Sequence, residues 1–161
     1  MSKKIRHISI ALLYKFKDMA KAIDITDRKT SYNSIDDKNV IFFIQAVRHG
    51  FTFRIFWSIA KKTPFSLGEW SGFLNMSERT MQRYKREHKT FDPIYSEKIL
   101  QVSLLYNLGI EVFGNNEKFD SWLETQNLAL GGIRPKELLD NSFGIGLLKD
   151  ELTRIEHGVL A

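Results

Sequence analysis

Cysteine is absent from all 161 residues, which excludes disulfide scaffolds, thiolate nucleophiles and Cys-based zinc or iron–sulfur centres. No apolar run approaches the roughly 18–20 residues that span a bilayer, so no membrane association is expected. The basic start Met1-Ser2-Lys3-Lys4-Ile5-Arg6 is followed by neither an h-region nor a small-residue cleavage site. No signal peptide is therefore expected, and the cytoplasm is the expected location. Alternation of apolar and polar residues is nowhere long enough to define a strand. Proline occurs only three times, which leaves long stretches open to helix.

What remains is ample for a folded core: 43% of the residues are hydrophobic and 12% are aromatic. Charge is divided along the chain. The first 95 residues hold 18 basic and 9 acidic side chains, a balance of +9, whereas the last 66 hold 6 and 10, a balance of −4. A basic front suits a polyanion and an acidic back does not, which suggests two surfaces with different partners.

Helical spacing dominates throughout. Ile5, Ile8, Leu12, Phe16, Met19 and Ile23 recur at intervals of three or four, so a helix is expected over residues 4–23. The stretch from Asp24 to Asn39 is rich in Asp, Ser, Thr and Asn and reads as a polar linker open to proteolysis. An apolar run from Val40 to Val47 stops at Gly50, and another from Phe53 to Lys62 stops at Thr63-Pro64. Phe51, Phe53, Phe56, Trp57, Phe65, Trp70 and Phe73 crowd into 23 positions, and their spacing favours a core over a base-stacking surface.

Two short helices follow. Ser66 with Glu69 three residues on is a capping box for the first, ending near Leu74. Asn75-Met76 makes a turn, and Ser77 caps a second helix running from Glu78 to about His88. In that helix Met81 and Tyr84 are the inward positions, while Arg79, Gln82, Arg83, Lys85 and Arg86 surround the rest. This is the pattern of a helix-turn-helix. Paired acceptors on guanine suit Arg, and the donor–acceptor pair on adenine suits Gln. Ser77 and Thr80 stand at a helix N-terminus, where backbone amides favour anions. The expected DNA-binding residues are Ser77, Arg79, Thr80, Gln82, Arg83, Lys85 and Arg86.

Beyond Phe91-Asp92-Pro93 a long helix is expected from Ile94 to Phe113, with Ile99, Val102, Leu105 and Tyr106 inward and Gly109 permitting close packing. Gly114-Asn115-Asn116 ends it. Further helices are expected over residues 117–125, with Phe119, Trp122 and Leu123 buried, over 136–139 after Pro135, and from a cap at Ser142 to about His157. The fold class is all-α, with units at residues 1–39, 40–114 and 115–161.

No catalytic constellation emerges. His7, His49, His88 and His157 are isolated, with no metal-ligand spacing. Gly144-Ile145-Gly146 follows no strand and lacks the remainder of a phosphate loop, and no Gly-x-Ser-x-Gly elbow occurs. Glu69, Glu137 and Glu156 read as a cap, a first-turn dipole partner and a surface charge. No enzyme activity, metal or cofactor is expected.

The C-terminal third contains Trp122-Leu123, Leu130-Gly131-Gly132, Pro135, Glu137-Leu138-Leu139, Gly144, Leu152 and Arg154-Ile155-Glu156-His157-Gly158-Val159. In that order and spacing it resembles the toxin-binding domain of Xre/MbcA/ParS-type antitoxins. Ser77-Glu78-Arg79-Thr80-Met81-Gln82-Arg83, Ser96-Glu97-Lys98-Ile99-Leu100 and Val112-Phe113-Gly114 are similar to the helix-turn-helix unit that precedes it in Xre-type antitoxins. The resemblance covers roughly residues 40–161 and leaves residues 1–39 unmatched. It implies a small helical toxin-binding domain after the helix-turn-helix. It also implies a type II antitoxin that covers the active site of a RES-domain, NAD+-consuming toxin and represses its own operon by binding operator DNA. The toxin-facing residues would be Arg134, Lys149, Arg154, Glu156, His157, Val159, Leu160 and Ala161. A homodimer within a toxin–antitoxin hetero-oligomer is expected, paired through the N-terminal helix or the helix from Ile94 to Phe113. Two alternatives remain open: a repressor whose C-terminal domain only dimerises or senses a ligand, and a toxin binder whose helix-turn-helix is merely structural.

Overall fold

The computed structural model describes residues 25–158, the side chain of Lys38 excepted. The expected helix over residues 4–23 lies outside that span. Within it run α1 (Asp37–His49), α2 (Phe53–Ala60), α3 (Leu67–Phe73), α4 (Glu78–Glu87), α5 (Pro93–Phe113), α6 (Asn116–Glu124) and α7 (Ser142–Glu156). Short 3-10 helices occupy Tyr32–Ser34, Leu128–Leu130 and Pro135–Asp140. Among the described residues extended backbone pairs only at the isolated bridges Thr52–Thr90 and Asn127–Ile133, so the all-α reading holds. None of the described helices is long and apolar enough to cross a membrane.

Local chemistry sets most helix ends. The Ser66 hydroxyl accepts from the Glu69 amide at 3.2 Å while the Glu69 carboxylate accepts from the Ser66 amide at 2.8 Å, the reciprocal pair read from the sequence. Pro93 opens α5, where its missing amide costs nothing, and Gly114 closes it at φ +82°. One expected cap is displaced: Asn141, not Ser142, caps α7 by accepting from the Gly144 amide at 2.8 Å. Both residue types cap well, and backbone geometry selects the earlier one. Of the four histidines, His49 ends α1, while His88 and His157 are the caps that close α4 and α7. Carbonyl-rich helix ends of this kind favour cationic side chains.

α5 is the axis of the fold. Ser96, Ile99, Leu100 and every residue from Val102 to Gly109 are buried, because α1, α6 and α7 pack around it. Its exposed apolar residue is Ile94, at its first turn. Over most of its length the apolar faces of α5 are covered by the chain itself. At Gly109 a Cβ would lie 2.1 Å from the Phe119 ring, so glycine here is what lets α6 approach α5. Around α2 and α3 the core is aromatic, with Trp70 fully buried, edge-on to Phe56 at 5.3 Å and donating from Nε1 to the Thr63 hydroxyl at 3.3 Å.

The stretch read as a polar linker is folded onto this axis. Asn107 on α5 donates from Nδ2 to the carbonyls of Asp27 and Thr30, at 3.2 and 2.7 Å. The fully buried Ser31 hydroxyl donates to the Glu111 carboxylate at 2.9 Å. Asp36 then caps α1 by accepting from the Asn39 amide at 2.8 Å. The polar residues that made residues 25–36 look like a linker are there to pair with polar groups on α5 and to start a helix.

Candidate functional site

α3, the turn Leu74–Ser77 and α4 form the helix-turn-helix, and its inner side is anchored hard. Met81 is fully buried, and the Tyr84 ring lies against Phe91 at 4.8 Å. Asn75 takes the left-handed conformation at φ 52°, which Asn tolerates and which turns the chain between the two helices. Behind α4, the Phe91 amide donates to the Phe51 carbonyl at 2.8 Å, and the Phe53 amide to the Lys89 carbonyl at 2.9 Å. At Gly50, φ +82°, a Cβ would fall 2.3 Å from the Phe91 carbonyl oxygen, so this crossing requires glycine. The Ser96 hydroxyl completes the knot, accepting from the Phe51 amide at 2.8 Å and donating to the Phe91 carbonyl at 3.1 Å.

With that side fixed, the other faces water. Arg79, Gln82, Arg83 and Arg86 are exposed, and the spacing of four and three between the arginines puts them on one stripe opposite Met81 and Tyr84. Together with Thr80 they line an open cleft of about 270 Å3. Ser77 caps the helix by accepting from the Thr80 amide at 3.1 Å, and the two hydroxyls lie 2.9 Å apart. Lys85 stands apart from the arginine stripe, its ammonium 5.6 Å from the ring centre of the half-exposed Trp57 on α2. Arg86 pairs with Glu87 at 3.1 Å, and Lys89 pairs with the same carboxylate at 3.2 Å. Hydrogen bonds from Arg86 and Lys89 hold the Glu87 carboxyl below the usual carboxylate range. The structure therefore brings Arg79, Thr80, Gln82, Arg83 and Arg86 to one place and sets Lys85 to its flank. Sequence reasoning did not anticipate Trp57 as the neighbour of that flank, and its place among buried aromatics hid its exposure.

Two polar fasteners join the helix-turn-helix to the C-terminal part. Lys136, in the 3-10 helix Pro135–Asp140, reaches Glu69 of the α3 cap at 2.8 Å and also pairs with Glu124 of α6. Burial pushes the Glu69 carboxyl up, but hydrogen bonds from Lys136 and from the Ser66 amide and hydroxyl outweigh it, and the net direction is down. Hydrogen bonds to Glu124 and Glu69 raise the Lys136 ammonium correspondingly. The Asn75 side-chain amide, in the turn between α3 and α4, donates to the Asp140 carbonyl at 2.9 Å.

The residues expected to meet a protein partner are spread over the C-terminal part. Arg134 is exposed, 3.8 Å from Glu137. Arg154 donates from two nitrogens to one Glu151 oxygen, at 2.9 and 2.6 Å. His157 is exposed at the end of α7. Lys149 and Glu156 instead lie toward the folded N-terminal stretch: the Lys149 ammonium is 4.8 Å from the Tyr32 ring centre, and Glu156 accepts from Asn33 at 3.3 Å. Burial, with the Glu97 charge added, pushes the Tyr32 hydroxyl up to about 12, so the ring under Lys149 stays neutral. Val159, Leu160 and Ala161 lie outside the described residues. Phe143 and Leu147, which sequence reasoning passed over, are exposed on α7. Placing Ile145, Leu148 and Leu152 inward on a helical wheel would have exposed them.

Two family models match the chain. Residues 42–103 match the antitoxin Xre-like helix-turn-helix domain. Residues 108–158 match the antitoxin Xre/MbcA/ParS C-terminal toxin-binding domain. The antitoxin Xre of Yersinia enterocolitica is 24% identical over 119 residues, which cover 73% of this chain and 80% of that protein.

Proposed function

Because the chain belongs to the Xre-type antitoxin family, we propose that it binds and neutralises a RES-domain, NAD+-consuming toxin by covering its active site, and that it represses its own operon. On this reading it is a cytoplasmic regulator with no enzymatic activity of its own. Residues 40–114 serve DNA and residues 115–161 serve the toxin.

The observation that carries the DNA half is the outward stripe of Arg79, Gln82, Arg83 and Arg86 on a helix whose opposite side is locked by Met81 and Tyr84. Such a helix can enter the major groove without rearranging its domain. Arg79, Gln82 and Arg83 read base edges; Ser77, Thr80, Lys85 and Arg86 hold phosphates and fix the register. A homodimer sets two such helices about one DNA turn apart, roughly 34 Å. On the toxin side Arg134, Lys149, Arg154, Glu156 and His157 contribute polar contacts. The C-terminal segment, from about Arg154 to Ala161, is the part that meets the mouth of the toxin pocket.

Gel-shift titration on the chain's own promoter, with and without the toxin encoded beside it, tests both halves. Specific retardation by the chain and silencing of the toxin in a stable complex are expected. A toxin silenced equally well after deletion of residues 155–161 would remove the active-site role of the tail.

A further inference from the structure

The part of the chain matched to the toxin-binding domain leaves two apolar groups in water, and both stand on rigid supports. On α7, Phe143 is 93% exposed, and Leu147 one turn later is 42% exposed. They lie away from Ile145, Leu148 and Leu152, which are buried in the core. The backbone beneath Phe143 cannot yield easily. Asn141 caps the helix just before it, and at Gly144 just after it a Cβ would come within 2.1 Å of the Leu138 carbonyl oxygen. The second group is Leu128, also 93% exposed, at the start of a closed loop, with Ile133, 41% exposed, at its end. That loop is tied by the Asn127 amide to the Ile133 carbonyl at 3.2 Å and by the Gly132 amide to the Asn127 carbonyl at 2.8 Å. Gly131 and Gly132, at φ +73° and +79°, make its reversal possible.

A phenyl ring held in solvent on a fixed backbone adds nothing to this chain's own stability, and preorganised aromatic groups of this kind are what interface centres use. Resting on the toxin-binding reading above, we infer that Phe143 and Leu147 are the anchor of the toxin-docking face, with Leu128 as a second anchor. The toxin meets them with an apolar pocket rimmed by Lys or Arg side chains. Charge selects this occupant over a second copy of the chain. Residues 108–158 as a whole hold 9 acidic and 5 basic side chains, so two copies of this part of the chain repel each other while a cationic rim is attracted. Asp150, exposed on α7 just after Leu147, gives that rim a polar counterpart.

The test uses the full chain and a catalytically silent form of the RES-domain toxin proposed above as its partner, with affinity measured by calorimetry. Phe143→Asp and Leu147→Lys are each expected to weaken binding by at least about 30-fold, the scale of a hot-spot residue (about 2 kcal/mol). Leu128→Asp is expected to weaken it less, and Phe143→Trp to stay near wild type. All four should keep the wild-type melting temperature and operator affinity, since none of these side chains is packed in the core. If Phe143→Asp and Leu147→Lys bind like wild type, the anchor is wrong while the toxin-binding reading stands. If wild type itself fails to bind, the reading falls and takes the anchor with it. Loss of self-association with toxin affinity retained would make this face a contact between copies and overturn the inference.

Discussion

Asn107 is the residue whose replacement should separate the folded N-terminal stretch from the rest of the molecule. It is 7% exposed in the middle of α5, and its amide nitrogen serves the carbonyls of Asp27 and Thr30. Each such hydrogen bond contributes a net of about 0.5–1.5 kcal/mol, so Asn107→Ala should cost about 1–3 kcal/mol. In a chain of this size that corresponds to a fall in Tm of roughly 2–12 °C, at about 2–4 °C per kcal/mol. Asn107→Asp should cost more, because a carboxylate would then face two carbonyl oxygens with no proton to share. The expected order of stability is therefore Asn, then Ala, then Asp. Circular dichroism melts measure it, and limited trypsin digestion supplies a local readout at Arg28 and Lys29. Cleavage there should accelerate in both variants well before the core is attacked. Equal melting temperatures together with unchanged cleavage would refute the idea that α5 anchors this stretch.

Three further outcomes are expected. Arg79→Ala and Arg83→Ala should each cost about 1–3 kcal/mol of operator affinity and relax specificity at one base position, whereas Lys85→Ala should weaken all sequences alike and reduce the salt slope by about one; fluorescence anisotropy across a salt series distinguishes the two. Gly109→Ala drives a methyl into the Phe119 ring, itself packed against Tyr106 and Trp122, and should lower stability by about 1–3 kcal/mol in a urea titration, a result that an unchanged midpoint would contradict. The Glu69 carboxyl is held low in the folded state, so its contribution is present at neutral pH and is lost as pH falls through the carboxylate range. Glu69→Gln should therefore flatten the acid limb of a Tm–pH profile, and an unaltered limb would show that the Lys136 fastener contributes little.

Where the sequence was legible, a local rule was at work. Ser66 with Glu69, Ser77, Pro93, Gly50 and Gly114 marked helix boundaries through caps and turn geometry that involve only neighbours in the chain. The inward positions Met81, Ile99, Val102 and Leu105 followed from periodicity, and the exposed arginine stripe of α4 followed from the same count. Misreadings arose where the deciding partner is distant. Residues 25–36 looked like a linker because Asn107 and Glu111, their partners on α5, lie some 80 positions away. The periodicity of α5 likewise does not reveal that α1, α6 and α7 together pack around it. Phe143 and Leu147 were hidden by a run in which residues 143, 145, 147 and 148 are all apolar and fit more than one helical face.

The most direct test of the account is co-expression of this chain with the protein encoded beside it, scoring growth and then co-elution on a sizing column. The account predicts that the neighbour arrests growth alone, is silenced by this chain, and leaves the column with it as one complex. A neighbour that stays toxic in the presence of this chain, or that elutes apart from it, would contradict the account.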